Sequence, residues 1–91
     1  MVKRIESGLY AKGIGEGYLS WIQNYAYELG LTGIVFTRND GSIRVIAEGE
    51  EDKLEKLSKK LERGGFLSSV ENFYINWGDA KEEFKSFAAI Y

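Results

Sequence analysis

An α+β fold, with two helices laid on one face of an antiparallel sheet, is what the hydrophobic periodicity of this chain predicts. Three observations carry the expectation. Several short stretches alternate apolar and polar residues at the period of a half-buried strand. Two others repeat apolar residues at helical spacing. Glycine-bearing turn signals fall between them, and the 91 residues contain no linker, repeat or low-complexity segment, so a single domain over residues 1–91 is expected.

The first strand is read over residues 2–12, where Ile5, Ser7, Leu9 and Ala11 alternate with Arg4, Glu6, Gly8 and Tyr10. A helix over 18–29 places Tyr18, Ile22, Tyr25, Ala26 and Leu29 on one face, with Gly30 as its C′ residue. A second strand, 32–38, centres on Ile34-Val35-Phe36. Asn39-Asp40-Gly41 then signals a hairpin turn into a third strand, 42–48, where Ile43, Val45 and Ala47 face one way and Arg44, Ile46 and Glu48 the other. A second helix over 51–63 buries Leu54, Leu57 and Leu61, carries Asp52–Lys56 and Glu55–Lys59 as i,i+4 pairs, and stops at Gly64-Gly65. Phe73, Ile75 and Trp77 alternate inward on a fourth strand, and residues 84–91 read as a fifth. The order β-α-β-β-α-β with a short terminal strand is a ferredoxin-like split βαβ sandwich.

Composition excludes several kinds of chemistry. There is no cysteine and no histidine, so disulfides, thiolates, imidazole bases and the commonest metal ligands are absent. The net charge of −2 makes no electrostatic case for nucleic acid or an anionic membrane. No apolar run approaches a membrane span and the N-terminus has no signal-peptide core, so a soluble cytoplasmic protein is expected.

The stretch that bears on function is Lys12-Gly13-Ile14-Gly15-Glu16-Gly17-Tyr18, a glycine-rich connection from strand to helix. A nest of backbone N–H groups beside a helix N-terminus suits an anion. It does not fit the dinucleotide pattern, whose third glycine would stand at Tyr18. With its surroundings this stretch resembles the acylphosphatase motif, roughly G-x-V-Q-G-V-G-F-R followed by an aromatic, an aliphatic, Gln and Ala. Here the run is Ala11 to Leu19, then Ser20-Trp21-Ile22-Gln23-Asn24-Tyr25-Ala26. The likeness continues through Leu29-Gly30-Leu31-Thr32-Gly33-Ile34-Val35-Phe36-Thr37-Arg38-Asn39-Asp40-Gly41, Ala47-Glu48-Gly49 and Phe87-Ala88-Ala89-Ile90-Tyr91, and so spans nearly the whole chain.

The resemblance implies hydrolysis of carboxyl-phosphate anhydrides without a cofactor. Loop N–H groups would bind the phosphoryl oxygens, an arginine closing the motif would clamp them, and an asparagine on the second strand would orient water. The arginine position is Leu19, which has neither donor nor charge, and the asparagine position is Thr37, which lacks the separate arms of an amide. Glu16 stands where the family has an apolar residue, and a carboxylate turned into the loop would repel an anion. Lys12, at the loop entrance, is the nearest cation in sequence. Arg38 follows Thr37 and is expected on the opposite face of the strand. The resemblance with these departures implies an acylphosphatase-like domain with little or no hydrolase activity. Such a domain would retain an anion loop for phosphate or another small anion, or serve as a binding module. An atypical active acylphosphatase and a ferredoxin-like small-ligand or regulatory domain are the alternatives.

Other features have plainer explanations. Trp21 and Trp77 read as core residues. RNA-recognition domains share this element order, but they stack bases on exposed aromatics of strands one and three, where this chain offers only Tyr10. The acidic run Glu48-Gly49-Glu50-Glu51-Asp52 reads as the start of a helix, whose dipole favours carboxylates.

Overall fold

The computed structural model describes residues 1–12, 14–63 and 70–91. The expected architecture is present: β1 (Val2–Ala11), α1 (Glu16–Glu28), β2 (Thr32–Thr37), β3 (Ile43–Glu50), α2 (Glu51–Arg63), β4 (Val70–Asp79) and β5 (Phe87–Ile90). The strands form one five-stranded sheet in the order β4-β1-β3-β2-β5. All pairings are antiparallel except β5, which adds to β2 in parallel, Gly33 opposite Phe87 and Phe36 opposite Ile90. Both helices cover one face, α1 over β2 and β5, α2 over β1, β3 and β4.

The alternation read in β1 has this physical meaning. Ile5, Ser7 and Leu9 point to the helices and are buried with Val35, Ile43, Val45 and Ala47, and with Leu54, Leu57 and Leu61 of α2. Arg4, Glu6, Gly8 and Tyr10 therefore lie on the open face. α1 starts two residues before the periodicity suggested, because Gly15 rather than the aromatic run caps it. Its other end is a Schellman turn: Gly30 has φ 76°, its N–H donates to the Tyr27 carbonyl at 3.0 Å, and the Leu31 N–H donates to the Ala26 carbonyl at 3.0 Å. The hairpin at 39–41 forms as expected, with the Asp40 carboxylate accepting from the Ser42 N–H at 2.9 Å and its hydroxyl at 2.5 Å. Gly33 marks a close approach, since a Cβ there would lie 2.0 Å from the Ile46 carbonyl oxygen. The Gly64-Gly65 stop lies outside the described residues.

Two expectations need correction. Trp77 pairs with Ile5 and faces the helix side, yet it is 44% exposed, because β4 is an edge strand and the tryptophan stands at its rim. Phe73 and Ile75, of the same stripe, do pack against the core, as does Trp21, which stacks between Tyr18 at 5.5 Å and Tyr25 at 6.2 Å. Neither Asp52–Lys56 nor Glu55–Lys59 is among the described ion pairs, and Lys60 lies 5.4 Å from the Tyr25 ring centroid. Such exposed pairs gain little over hydration.

The acidic run divides its labour. Glu51 and Asp52 occupy the first turn of α2, where the dipole favours them. Glu48 does not cap. It is 3% exposed on the open face, accepts from Arg4 Nη1 at 2.8 Å, and takes the N–H groups of Lys81 and Glu82, each at 2.8 Å. Burial works against its charge, but the Lys81 amide, the Arg4 guanidinium and the Glu82 amide together hold its pKa below the ordinary value. Arg44 and Arg4 likewise hold Glu6 low, against the opposing effect of burial. A carboxylate with a lowered folded-state pKa contributes stability above its unfolded pKa and loses it as pH falls through the folded value. Urea unfolding of the native chain is expected to show falling stability below about pH 4. Glu48→Gln should cost about 2 kcal/mol at neutral pH and flatten that acid slope, since a neutral amide removes the charge but keeps one acceptor.

Candidate anion-binding site

The loop between β1 and α1 is positioned by both elements. β1 ends at Ala11, Lys12 follows in a turn and is exposed, and Gly15 is the N-cap residue of α1 in an extended conformation, φ −163° and ψ −170°. Its carbonyl accepts the N–H groups of Tyr18 at 3.0 Å and Leu19 at 3.3 Å, and no side chain caps the helix. Among the described residues, no acceptor takes the N–H of Glu16 or Gly17. Both lie in the first turn of α1, at the positive end of the macrodipole. Gly13, a member of the expected loop, lies outside the described residues.

Glu16 is the first helical residue and is exposed, where the same dipole accommodates a carboxylate. Tyr18 is buried, and burial pushes its phenol pKa up to about 12, so it stays neutral over the physiological range. Ile14 packs against the core.

Leu19 explains itself in this setting. With Gly15 as N-cap, Ile14 is N′ and Leu19 is N4, the two positions of a hydrophobic staple. Leu19 is 2% exposed and belongs to the main core cluster. Set against the motif alone, position 19 is an arginine lost. The structure shows a leucine used, at a position whose side chain helps fix the entry of the chain into α1. The spacing of Ile14, Gly15 and Leu19 held that signal.

Thr37 lies at the same end of the sheet. Leu9, Ile43 and Thr37 form one cross-strand row, so the threonine stands two strand spacings, about 10 Å, from β1. It is exposed at the end of β2, on the helix side together with Val35. Arg38 points to the open face and lines a cleft there with Tyr10 and Tyr74. Thus Ile14, Gly15, the N-terminus of α1 and Thr37 lie at one end of the helix side, Lys12 follows β1 at that same end, and Arg38 goes to the other face.

Two hydrogen bonds to the C-terminal segment brace this end. The hydroxyls of Ser20 and Tyr91 are hydrogen-bonded, and Gln23 Nε2 donates to the Phe87 carbonyl at 3.3 Å. They tie α1 to the edge strand β5. No local pattern in the sequence marks Tyr91 as the partner of Ser20, since the contact joins residues 71 apart in the chain.

The acylphosphatase family profile matches residues 13–89. An acylphosphatase of Mycobacterium sp. (strain JLS) is 32% identical over 84 residues, covering 92% of this chain and 89% of that protein. One of Helicobacter hepaticus is 38% identical over 92 residues, covering 96% of each. The crystal structure of acylphosphatase from Bacillus subtilis superposes with a TM-score of 0.86 over the full length of both chains, at 24% identity, a likeness that concerns the fold.

If Leu19 is a staple and core residue, Leu19→Ala should lower unfolding free energy by about 2–4 kcal/mol. Glu16→Ala, at the exposed first helical position, should cost less than about 1 kcal/mol. Urea denaturation of the two variants checks both, and a Leu19→Ala cost no larger than that of Glu16→Ala would contradict the assignment.

Proposed function

The chain belongs to the acylphosphatase family, and we propose that it keeps the family's anion-binding loop while hydrolysing acyl phosphates far more slowly than a member with the full motif, or not at all. The observation that carries this reading is the burial of Leu19 in the core. A guanidinium fork at this position would supply charge and paired donors to a phosphoryl group. A leucine supplies neither, and its side chain is committed elsewhere. Phosphoryl transfer depends mainly on positioning and electrostatics, so one missing preorganised donor costs on the order of 10²–10³ in rate. Thr37 in place of an amide removes a second group, whose loss need not multiply with the first because such groups act as a unit.

What remains favours binding. The N–H groups of Glu16 and Gly17 and the dipole of α1 attract an anion, and Lys12 adds a cation at the loop entrance. An atypical but active acylphosphatase is the second reading. Its support is the exposed Thr37 hydroxyl at the correct end of the sheet, together with the name its relatives carry.

Hydrolysis of acetyl phosphate by the native chain, beside a Leu19→Arg, Thr37→Asn double variant, separates these readings. The native chain should lie near background and the double variant should gain measurable rate, at a stability cost of about 1–3 kcal/mol for placing a guanidinium stem in a buried site. A native rate within tenfold of an ordinary family member would overturn the proposal in favour of the second reading. Inorganic phosphate should raise the melting temperature of the native chain by mass action. No rise at high phosphate would remove the anion loop from the proposal and leave a binding module of another kind.

A further inference from the structure

A well-formed cavity lies away from the loop. It is a cleft of about 440 Å3 on the open face of the sheet, at the end of β1 and the β2–β3 turn. Its volume falls in the range of small-molecule sites. The walls are two tyrosines, Tyr10 on β1 and Tyr74 on β4, which are 39% and 41% exposed. Gly8 forms part of the floor, and its missing side chain is what admits the Tyr74 ring: a Cβ there would lie 2.4 Å from the ring edge.

The charged groups at the rim are not equivalent. Asp40 spends its carboxylate on the Ser42 N–H and hydroxyl, and these bonds hold its pKa below the ordinary value. Arg38 has no ion pair within 4 Å among the described residues, although Arg4 and Arg44 on the same face are both paired. The cleft therefore offers two phenol rings, that of Tyr74 lying over Gly8, and a guanidinium that is not ion-paired, although its charge helps hold the Asp40 carboxylate low. Aromatic walls take a planar ring, and the guanidinium fork takes a carboxylate or phosphate with two parallel bonds.

We propose that this cleft is a second ligand site, distinct from the glycine loop, which binds a small planar aromatic molecule bearing an anionic group. The ring lies against Tyr10 and Tyr74 and the anion meets Arg38. Benzoate and AMP present the same chemistry with a carboxylate and with a phosphate, and acetate and inorganic phosphate present the anions without the ring.

The test is a titration of the native chain with each of the four, read by amide and side-chain chemical shifts in 1H–15N NMR. Saturable shifts at Gly8, Tyr10, Arg38 and Tyr74 are expected with at least one aromatic anion, and the one that binds tighter identifies the head group. Acetate and phosphate should leave these residues unmoved, even if phosphate shifts Gly15 and Gly17. Arg38→Met and Tyr74→Ala, both at exposed positions, should each weaken the aromatic anion by about tenfold or more. The proposal fails if neither aromatic anion gives saturable shifts up to about 10 mM. It fails equally if acetate and phosphate act as well as their aromatic counterparts, or if binding is unchanged in Arg38→Met. Because the readout residues lie on the face opposite the loop, either result leaves the hydrolysis and phosphate experiments independent.

Discussion

The fold depends on a crossing that one buried carboxylate holds down. β4 and β5 are consecutive in sequence but occupy opposite edges of the sheet, so residues 80–86 must pass over three strands on the open face. Four strand spacings are about 19 Å, and the eight steps from Asp79 to Phe87 reach about 26 Å when extended. The connection has little slack and no ladder of its own. Its N–H groups at Lys81 and Glu82 go to Glu48, and Arg4 bridges Glu48 to Glu83 at 2.8 and 3.2 Å, with its guanidinium 5.8 Å from the Phe84 ring centroid. A buried charge cluster of this kind is a poor source of net stability, yet losing one partner is costly, because it strands the others. Here it specifies where the chain crosses. With the crossing placed, the Gly33 N–H donates to the Ser86 carbonyl at 3.0 Å, β5 joins β2 in parallel, and Phe87 and Tyr91 reach α1.

The bracing of α1 by β5 matters for the loop. An anion site made of backbone N–H groups has no side chains to adjust, so its geometry is only as fixed as the helix that carries it. α1 is held at its first turns by Tyr18 and Leu19 in the core and by Ser20 on Tyr91, then by Gln23 on β5, and at its end by the Schellman turn. The hydrophobic staple belongs to this same design. A side chain at N4 can close the helix entry from the core side or reach back over the loop as a clamp, and in this chain it closes the entry.

Which features were legible in the sequence follows from how local their causes are. The period of β1, the leucine stripe of α2, the Gly30 C-cap and the Asp40 turn rest on interactions within a few residues, and each lies where the pattern placed it. Local pattern makes Glu48 an outward residue of β3 at the head of an acidic run, because nothing local says that residues 80–86 will cover it. Trp77 looks like core from its pattern for the converse reason: alternation tells which face a residue takes, but not whether the edge of the sheet is covered. Tyr74 escaped notice as an open-face aromatic because its place beside Gly8 depends on the β1–β4 register, which includes an irregularity between Gly8 and Tyr10. The starting point of α1 was legible in principle. Taking Gly15 as the cap turns Leu19 from an absence into a structural choice.

That choice bears on whether Arg38 can stand in for a clamp at the loop. Thr37 and Arg38 are neighbours on one strand, and the period of two sends them to opposite faces. Bringing Arg38 to the loop side requires a one-residue slip of β2. The slip would carry Val35, fully buried against the helices, out to the open face and drive Ile34 and Phe36 into a core already filled. It would also move Gly33 from beneath the Ile46 carbonyl, where a residue with a Cβ cannot sit. Several core contacts would be exchanged for one charge, and the turn at 39–41 would have to be rebuilt. The register that keeps Val35 buried therefore confines Arg38 to the cleft with the tyrosines. Of the two cations considered for the loop, Lys12 alone lies at its entrance.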